Sequence, residues 1–208
     1  MLLERIFRNR VYQLRYWAHT HDLLFHQKDD EDFLSEMAAF PLGQRGQRAQ
    51  VSNSVEFMPV DSIEEIRVMD YKYKEKRKND TRIFKQSVFY LRCDDLNLPY
   101  MSIRPMKWGD RIGRLFGKQV QPFEDHAGFS RLYSVHGEDY NLINSSLTYG
   151  FLDYFANKKD LCFEGFGGGY ILYRHGQKKR PKQIVDLYNE GMDVFNLLLG
   201  KATTGEYV

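Results

Sequence analysis

Only two thiols, Cys93 and Cys162, occur in 208 residues. That number leaves no disulfide framework and suits a reducing compartment, with both sulfurs expected to be buried and inert. Long apolar runs are equally lacking. No stretch approaches the roughly 18 apolar residues of a membrane-spanning helix, and Glu4, Arg5, Arg8 and Arg10 interrupt any signal-peptide core at the N-terminus. A dominant charge is missing too. Thirty Lys and Arg stand against 28 Asp and Glu, a net charge of +2, so bulk electrostatics neither draws the molecule to nucleic acid nor repels it, and only local patches can act. The expected address is the cytoplasm, peripheral to a membrane at most. Tryptophan is scarce, at 2, but 15 Phe and 14 Tyr supply large core side chains. A chain of this length can bury about 70 % of the surface it exposes when unfolded.

Residues 3–18 place Leu3, Phe7, Val11, Leu14 and Ala18 on one stripe at helical spacing, with Arg5, Arg8 and Arg15 largely off it. A short strand at Leu23–Phe25 follows, then Asp29 to Asp32 as the acidic start of a short helix ended by Pro41 and Gly43. Gly43–Arg48 reads as a basic, flexible connection. From Ala49 the odd positions are apolar, the mark of a half-buried strand. Residues 65–73 and 83–93 are strands joined through a polar loop, Lys74 to Arg82. In the first of them apolar identity switches from even to odd positions, which predicts a bulge or burial on both faces. Tyr100–Arg104 is a further strand.

Trp108 to Phe116 has a helical pattern, 119–123 and 129–135 have strand patterns, and 140–156 reads as one helix behind Asp139. Residues 161–174 form a hairpin about Gly167-Gly168-Gly169, and Pro181 opens a C-terminal helix that ends at Gly200. The fold class is therefore α+β: a mainly antiparallel sheet, an N-terminal amphipathic helix, two or three internal helices and a C-terminal helix. The organisation expected is a helical lead over 1–48, an α+β body over 49–200, compact as a whole, and a loose tail over 201–208.

Short pieces of the chain match a known pattern in order over about residues 12–199: Phe40-Pro41-Leu42, Met69-Asp70-Tyr71-Lys72-Tyr73, Gln86-Ser87-Val88, Pro99 to Pro105, Phe129-Ser130-Arg131 with Tyr133 and Gly137, and Glu164-Gly165 followed by Leu172-Tyr173-Arg174. In these the chain resembles a family of uncharacterised bacterial proteins that carry a domain of unknown function. Members often place transmembrane helices ahead of the domain, where this chain has a charged amphipathic segment. The resemblance implies a membrane-proximal setting and no activity, substrate or catalytic residue.

Chemistry-bearing motifs are few. His19, His21 and His26 have no acidic or Cys partner at ligand spacing and are read as surface or capping residues, so no metal and no cofactor is expected. The Gly167 to Gly169 run lacks the Lys-Ser/Thr of a phosphate loop and is read as a turn. Ser130, Ser145 and Ser146 lack a base in recognisable context. Asp70 and Glu164 interrupt apolar strands, where a charge is costly unless paired. Sharing one cleft they could act as acid and base; apart, each could pair with a nearby Arg or Lys or face solvent.

Two basic clusters, one with Lys72, Lys74, Lys76, Arg77, Lys78, Arg82 and Lys85, the other with Lys178, Lys179, Arg180 and Lys182, are either solvated loops or contacts for phosphates. Tyr71, Tyr73 and Tyr90 beside the first could stack bases. The candidate interaction residues are Arg5, Arg8, Arg10, Arg15, Trp17, Lys74, Lys76, Arg77, Lys78, Lys178, Lys179 and Arg180. The expected role is a non-catalytic module docking on a protein assembly or an anionic membrane face. A nucleic-acid-binding domain and a small-molecule enzyme using Asp70 or Glu164 are the alternatives.

Overall fold

Period-2 patterning builds most of the molecule. The computed structural model describes residues 9–28, 31–76, 78, 80–106 and 123–200, with backbone alone at 31, 32 and 124. Helix α1 (Arg10–Thr20), strand β1 (Leu24–Lys28) and helix α2 (Glu31–Met37) lead into β2 (Gln47–Phe57), β3 (Ile63–Lys76), β4 (Thr81–Cys93) and β5 (Leu98–Pro105). After a 3-10 turn at Glu124–His126 come α3 (Ala127–Leu132), β6 (Tyr133–Gly137), α4 (Tyr140–Ser146) and α5 (Tyr149–Ala156). Strands β7 (Cys162–Gly167) and β8 (Gly169–Tyr173), a 3-10 turn at Pro181–Gln183 and α6 (Ile184–Leu198) complete it. Among the described residues all eight strands join one sheet in the order β1-β2-β3-β4-β8-β7-β5-β6, every neighbouring pair antiparallel. The fold is α+β, as the pattern predicts.

The sheet is covered on both sides. On one face Ile66 and Val68 of β3, Phe89 and Leu91 of β4, Leu172 and Phe163 pack with Leu14 and Ala18 of α1, Phe151 and Phe155 of α5 and Leu187 and Val194 of α6. On the other, Met69, Tyr71, Tyr73, Val88, Tyr90, Ile171 and Tyr173 pack with Phe33 and Met37 of α2 and with Phe40 and Leu42. Each fully buried side chain of this size contributes about 1.5–3 kcal/mol. The even-to-odd switch in β3 thus reflects burial on both faces. Its pairing with β4 runs unbroken from Glu65 to Lys76, the one shift lying at Ile63/Glu65.

Several expectations are corrected. Phe129 belongs to α3 and only Tyr133–Gly137 is strand. Residues 140–156 are two helices. Asp139 caps α4 through the Asn141 and Leu142 amides, while Thr148 accepts the Phe151 amide at 3.1 Å and restarts the chain as α5. The β3–β4 connection is shorter than the polar run suggests, because Lys74, Lys76 and Arg82 sit in the ladder opposite Ile83, Thr81 and Glu75. The Gly43–Arg48 segment is no loose basic linker, since Arg45 is only 5 % exposed. The β7–β8 hairpin is as expected: Phe166 pairs with Gly169, and Gly167 takes the positive φ of 55° that the two-residue turn requires. The expected helix over 108–116, strand over 119–123, Asp29-Asp30 start and tail over 201–208 fall wholly or mostly outside the described residues.

Candidate functional site

Arg10 opens α1 and turns down onto the sheet. Its Nε donates to Asp70 Oδ2 at 2.8 Å and its Nη2 to Oδ1 at 2.7 Å, a two-pronged ion pair. Its Nη1 donates to the Lys179 carbonyl at 2.5 Å. Asp70 also accepts from Asn53 Nδ2 at 2.9 Å and from Ser87 Oγ at 3.3 Å, and Lys178 Nζ lies 2.9 Å from Oδ2. Ser87 Oγ in turn accepts the Lys179 amide at 3.0 Å. Two of the expected contact residues, Arg10 and Lys178, are therefore occupied in tying α1 and the 178–179 segment to β3 and β4. With Leu14 and Ala18 fully buried as well, α1 is part of the core and not a detachable docking arm.

Glu164 builds a second network. Its Oε1 accepts from Tyr173 Oη at 2.7 Å and pairs with Arg104 Nη2, its Oε2 accepts the Leu42 amide at 2.6 Å, and Arg104 Nε donates to Ser102 Oγ at 2.7 Å. Burial raises the Glu164 carboxyl above its ordinary value, against the downward pull of Arg45, the Tyr173 hydroxyl and the Leu42 amide. Burial pulls Arg45 down, but Tyr173, Glu164 and Tyr73 outweigh it and leave its guanidinium raised. His175, also desolvated and beside Arg45, is pushed down to about 3.

The two carboxylates do not meet. Asp70 pairs with Ser87 on the α1 face, whereas Glu164 pairs across β8 with Ile171 on the α2 face. An acid–base pair of Asp70 and Glu164 would need to act through the sheet. Tyr71, Tyr73 and Tyr90 are also buried on the α2 face, so they offer no platform for bases.

What the fold does bring together lies on the α1 face. The two basic clusters meet at Asp70. Residues two apart on a strand share a face, so Lys72, Lys74 and Lys76 continue the line of Asp70, and Lys85 stands opposite Lys72. Lysines directly opposite one another destabilise a sheet, by an amount on the order of 0.2–1 kcal/mol. Ile83, opposite Lys74, is 51 % exposed among these cations. On the same side of the sheet, past Asp70 from this strip, a groove of about 810 Å³ runs between α1 and the turn that begins α6, with Tyr12, Tyr16 and Trp17 on one wall and Arg180, Pro181 and Lys182 on the other. Tyr12 and Tyr16 are 48 % and 67 % exposed. No acid occurs in α1 or in residues 178–183.

Of the remaining expected residues, Arg15 donates to Gln27 at 2.9 Å and lies over the Phe25 ring. Trp17 stacks on His21 with centroids 4.5 Å apart, Arg180 Nε donates to Gln183, and Lys78 is exposed. Arg5, Arg8 and Arg77 fall outside the described residues. His26 pairs with Glu56 at 3.0 Å and His21 meets the Trp17 carbonyl at 2.8 Å. Tyr12 and Tyr16 were missed as candidates, although their spacing of four residues places them on one flank of a helix.

No family model matches the chain, and no curated protein matches it in sequence. Among solved structures the chain is similar to the mycobacterial trehalose monomycolate transport factor A, TtfA, with a TM-score of 0.57 and 12 % sequence identity, over 92 % of this chain and 95 % of that one. At that identity the likeness shows a shared fold. Among the described residues no helix is long and apolar enough to cross a membrane.

Proposed function

We propose that this chain is a non-catalytic interaction module that docks on an anionic partner through the face formed by α1, the 178–183 segment and the outer half of the β3–β4 hairpin. The observation that carries the reading is that two sequence-distant basic clusters meet at Asp70, with an aromatic groove on the same side of the sheet. Exposed Tyr beside Arg and Lys, at the mouth of a concave apolar site, is the composition that anchors partners. The carboxylates that would serve an enzyme are each enclosed in ion networks on opposite faces. The fold shared with a mycobacterial transport factor supports an accessory role without carrying over its cargo, and we place the chain with the uncharacterised bacterial family it resembles.

Trp17 lines the groove and is one of two tryptophans, so Trp108→Phe leaves it as a single reporter. We expect its emission to shift saturably, and less at high salt, on titration with at least one of three polyanions: phosphatidylglycerol vesicles, polyglutamate or a single-stranded oligonucleotide. No response to any of them at low ionic strength overturns the docking reading.

A further inference from the structure

Resting on that docking reading, we propose that the anionic partner is a phospholipid surface, against which the lysine strip and the exposed tyrosines of α1 lie together. Four features of the face favour lipid over an acidic protein or a nucleic acid.

The first is the kind of cation. On this face Arg10 is already engaged with Asp70. The strip itself offers Lys72, Lys74, Lys76 and Lys85, flexible point charges that answer a diffuse negative field instead of a fixed pair of oxygens. Lysine stems also lie along apolar surface while their heads reach for charge.

The second feature is extent. Lys72 to Lys76 cover about 13 Å of strand at 3.3 Å per residue, and Arg180 and Lys182 add positive charge on the same side of the sheet, in the groove. A cation array this broad suits a partner that presents negative charge in two dimensions. The third is what stands among the charges. Ile83, Tyr12 and Tyr16 are exposed on a basic face, and tyrosine, with an apolar ring and a polar tip, favours the headgroup level of a bilayer. The tyrosines that could have stacked bases beside the first cluster, Tyr71 and Tyr73, are buried on the far side of the sheet.

The fourth feature is the cross-strand pair of Lys72 and Lys85. Lys72 Nζ turns to Gln50 Oε1 on the other neighbouring strand at 3.2 Å, yet the two like charges still stand in register, and an anionic surface offsets that like charge. A purely structural role for these lysines predicts loss of stability when they are neutralised, whereas a role in binding predicts the opposite.

The test is co-sedimentation of the full chain with vesicles of phosphatidylglycerol and phosphatidylcholine, against vesicles of phosphatidylcholine alone, with polyglutamate and an oligonucleotide as competitors. We expect binding to the anionic vesicles only, with a blue shift of Trp17 emission. Each lysine removed from the strip lowers the partition coefficient about fivefold, the ratio that corresponds to roughly 1 kcal/mol. Replacing Lys72, Lys74, Lys76 and Lys85 together by Gln is expected to abolish sedimentation while leaving the thermal midpoint equal or higher. Tyr16→Ala, at a solvent-exposed position, weakens binding and reduces the blue shift without loss of fold. The lipid proposal is overturned if the quadruple variant, folded by circular dichroism, sediments like the parent chain. It is also overturned if polyglutamate or the oligonucleotide binds while vesicles do not, an outcome that leaves the docking reading standing. Silence from all three probes removes both.

Discussion

Glu164 holds Arg104 directly and acts on Arg45 through the field, in a layer where none of the three side chains meets solvent freely. Glu164→Gln keeps the shape and removes the charge, leaving buried guanidinium groups without their carboxylate. Breaking one side of such a pair costs about 3–5 kcal/mol. We expect urea unfolding of the variant to show a loss of that size, and a loss below about 1 kcal/mol would assign the stability to the hydrogen bonds alone. His175 tests the same region by pH. Its ordinary value is 6.5, and burial with the nearby Arg45 pushes it down to about 3 in the fold. Between those limits the unfolded chain binds the proton that the folded chain refuses, so the contribution of His175 is complete above pH 6.5 and is lost as pH falls toward 3. His175→Gln should therefore flatten the decline of the urea midpoint over that window. An unchanged slope would place the acid sensitivity elsewhere, for instance at Glu190, whose carboxyl Arg174 holds below its ordinary value although burial opposes it.

Helix α6 crosses β4 where Gly191 meets the Phe89 ring. A Cβ on Gly191 would stand 2.4 Å from two ring carbons, and the Tyr170 hydroxyl donates to the Gly191 carbonyl at 2.7 Å. Gly191→Ala gains up to about 1 kcal/mol of helix propensity, but overpacking costs about 1–3 kcal/mol. A lowered thermal midpoint is expected, and a raised one would mean that Phe89 has room to turn. Helix α6 was legible in the sequence because its signals are local: Pro181 at the start, Leu187 and Phe195 on the buried side, Gly200 at the end. The β7–β8 hairpin was legible for the same reason. The break at Leu147 was not, since Leu147 keeps the helical phase, and Thr148 acts as a cap while donating to Leu197, far along the chain. Phe129 shares strand parity with Tyr133 and Val135, yet it stacks on Tyr133 and meets Phe155, so tertiary packing overrides the local pattern. Arg45 looked like linker because its neighbours are polar, and the charge that accounts for its burial is Glu164, on a distant strand. The candidate face escaped sequence reasoning similarly: Tyr16 and Pro181 lie at opposite ends of the chain.

Across the whole molecule, protection should follow position in the sheet. Strands β4 and β8 are central and buried on both faces, whereas β1 is an edge strand of mixed exposure. Hydrogen exchange is expected to be slowest at Val88 to Leu91 and Ile171 to Tyr173 and faster over Leu24 to Lys28. Equal rates in the two regions would show that the sheet opens only as a unit. The strand order also sets a timetable for synthesis. The five residues of β8 lie between β4 and β7 and join the first four strands to the last three in the sheet. Until Tyr173 has left the ribosome, β4 carries an open edge of Val, Phe, Tyr and Leu, the kind of edge that recruits foreign strands. Helix α1, translated at the outset, waits longer still, because Arg10 finds its Lys179 carbonyl only after the 178–179 segment emerges. A nascent chain stalled before Gly169 is thus a substrate for chaperones, holding two partial sheets and an unseated first helix.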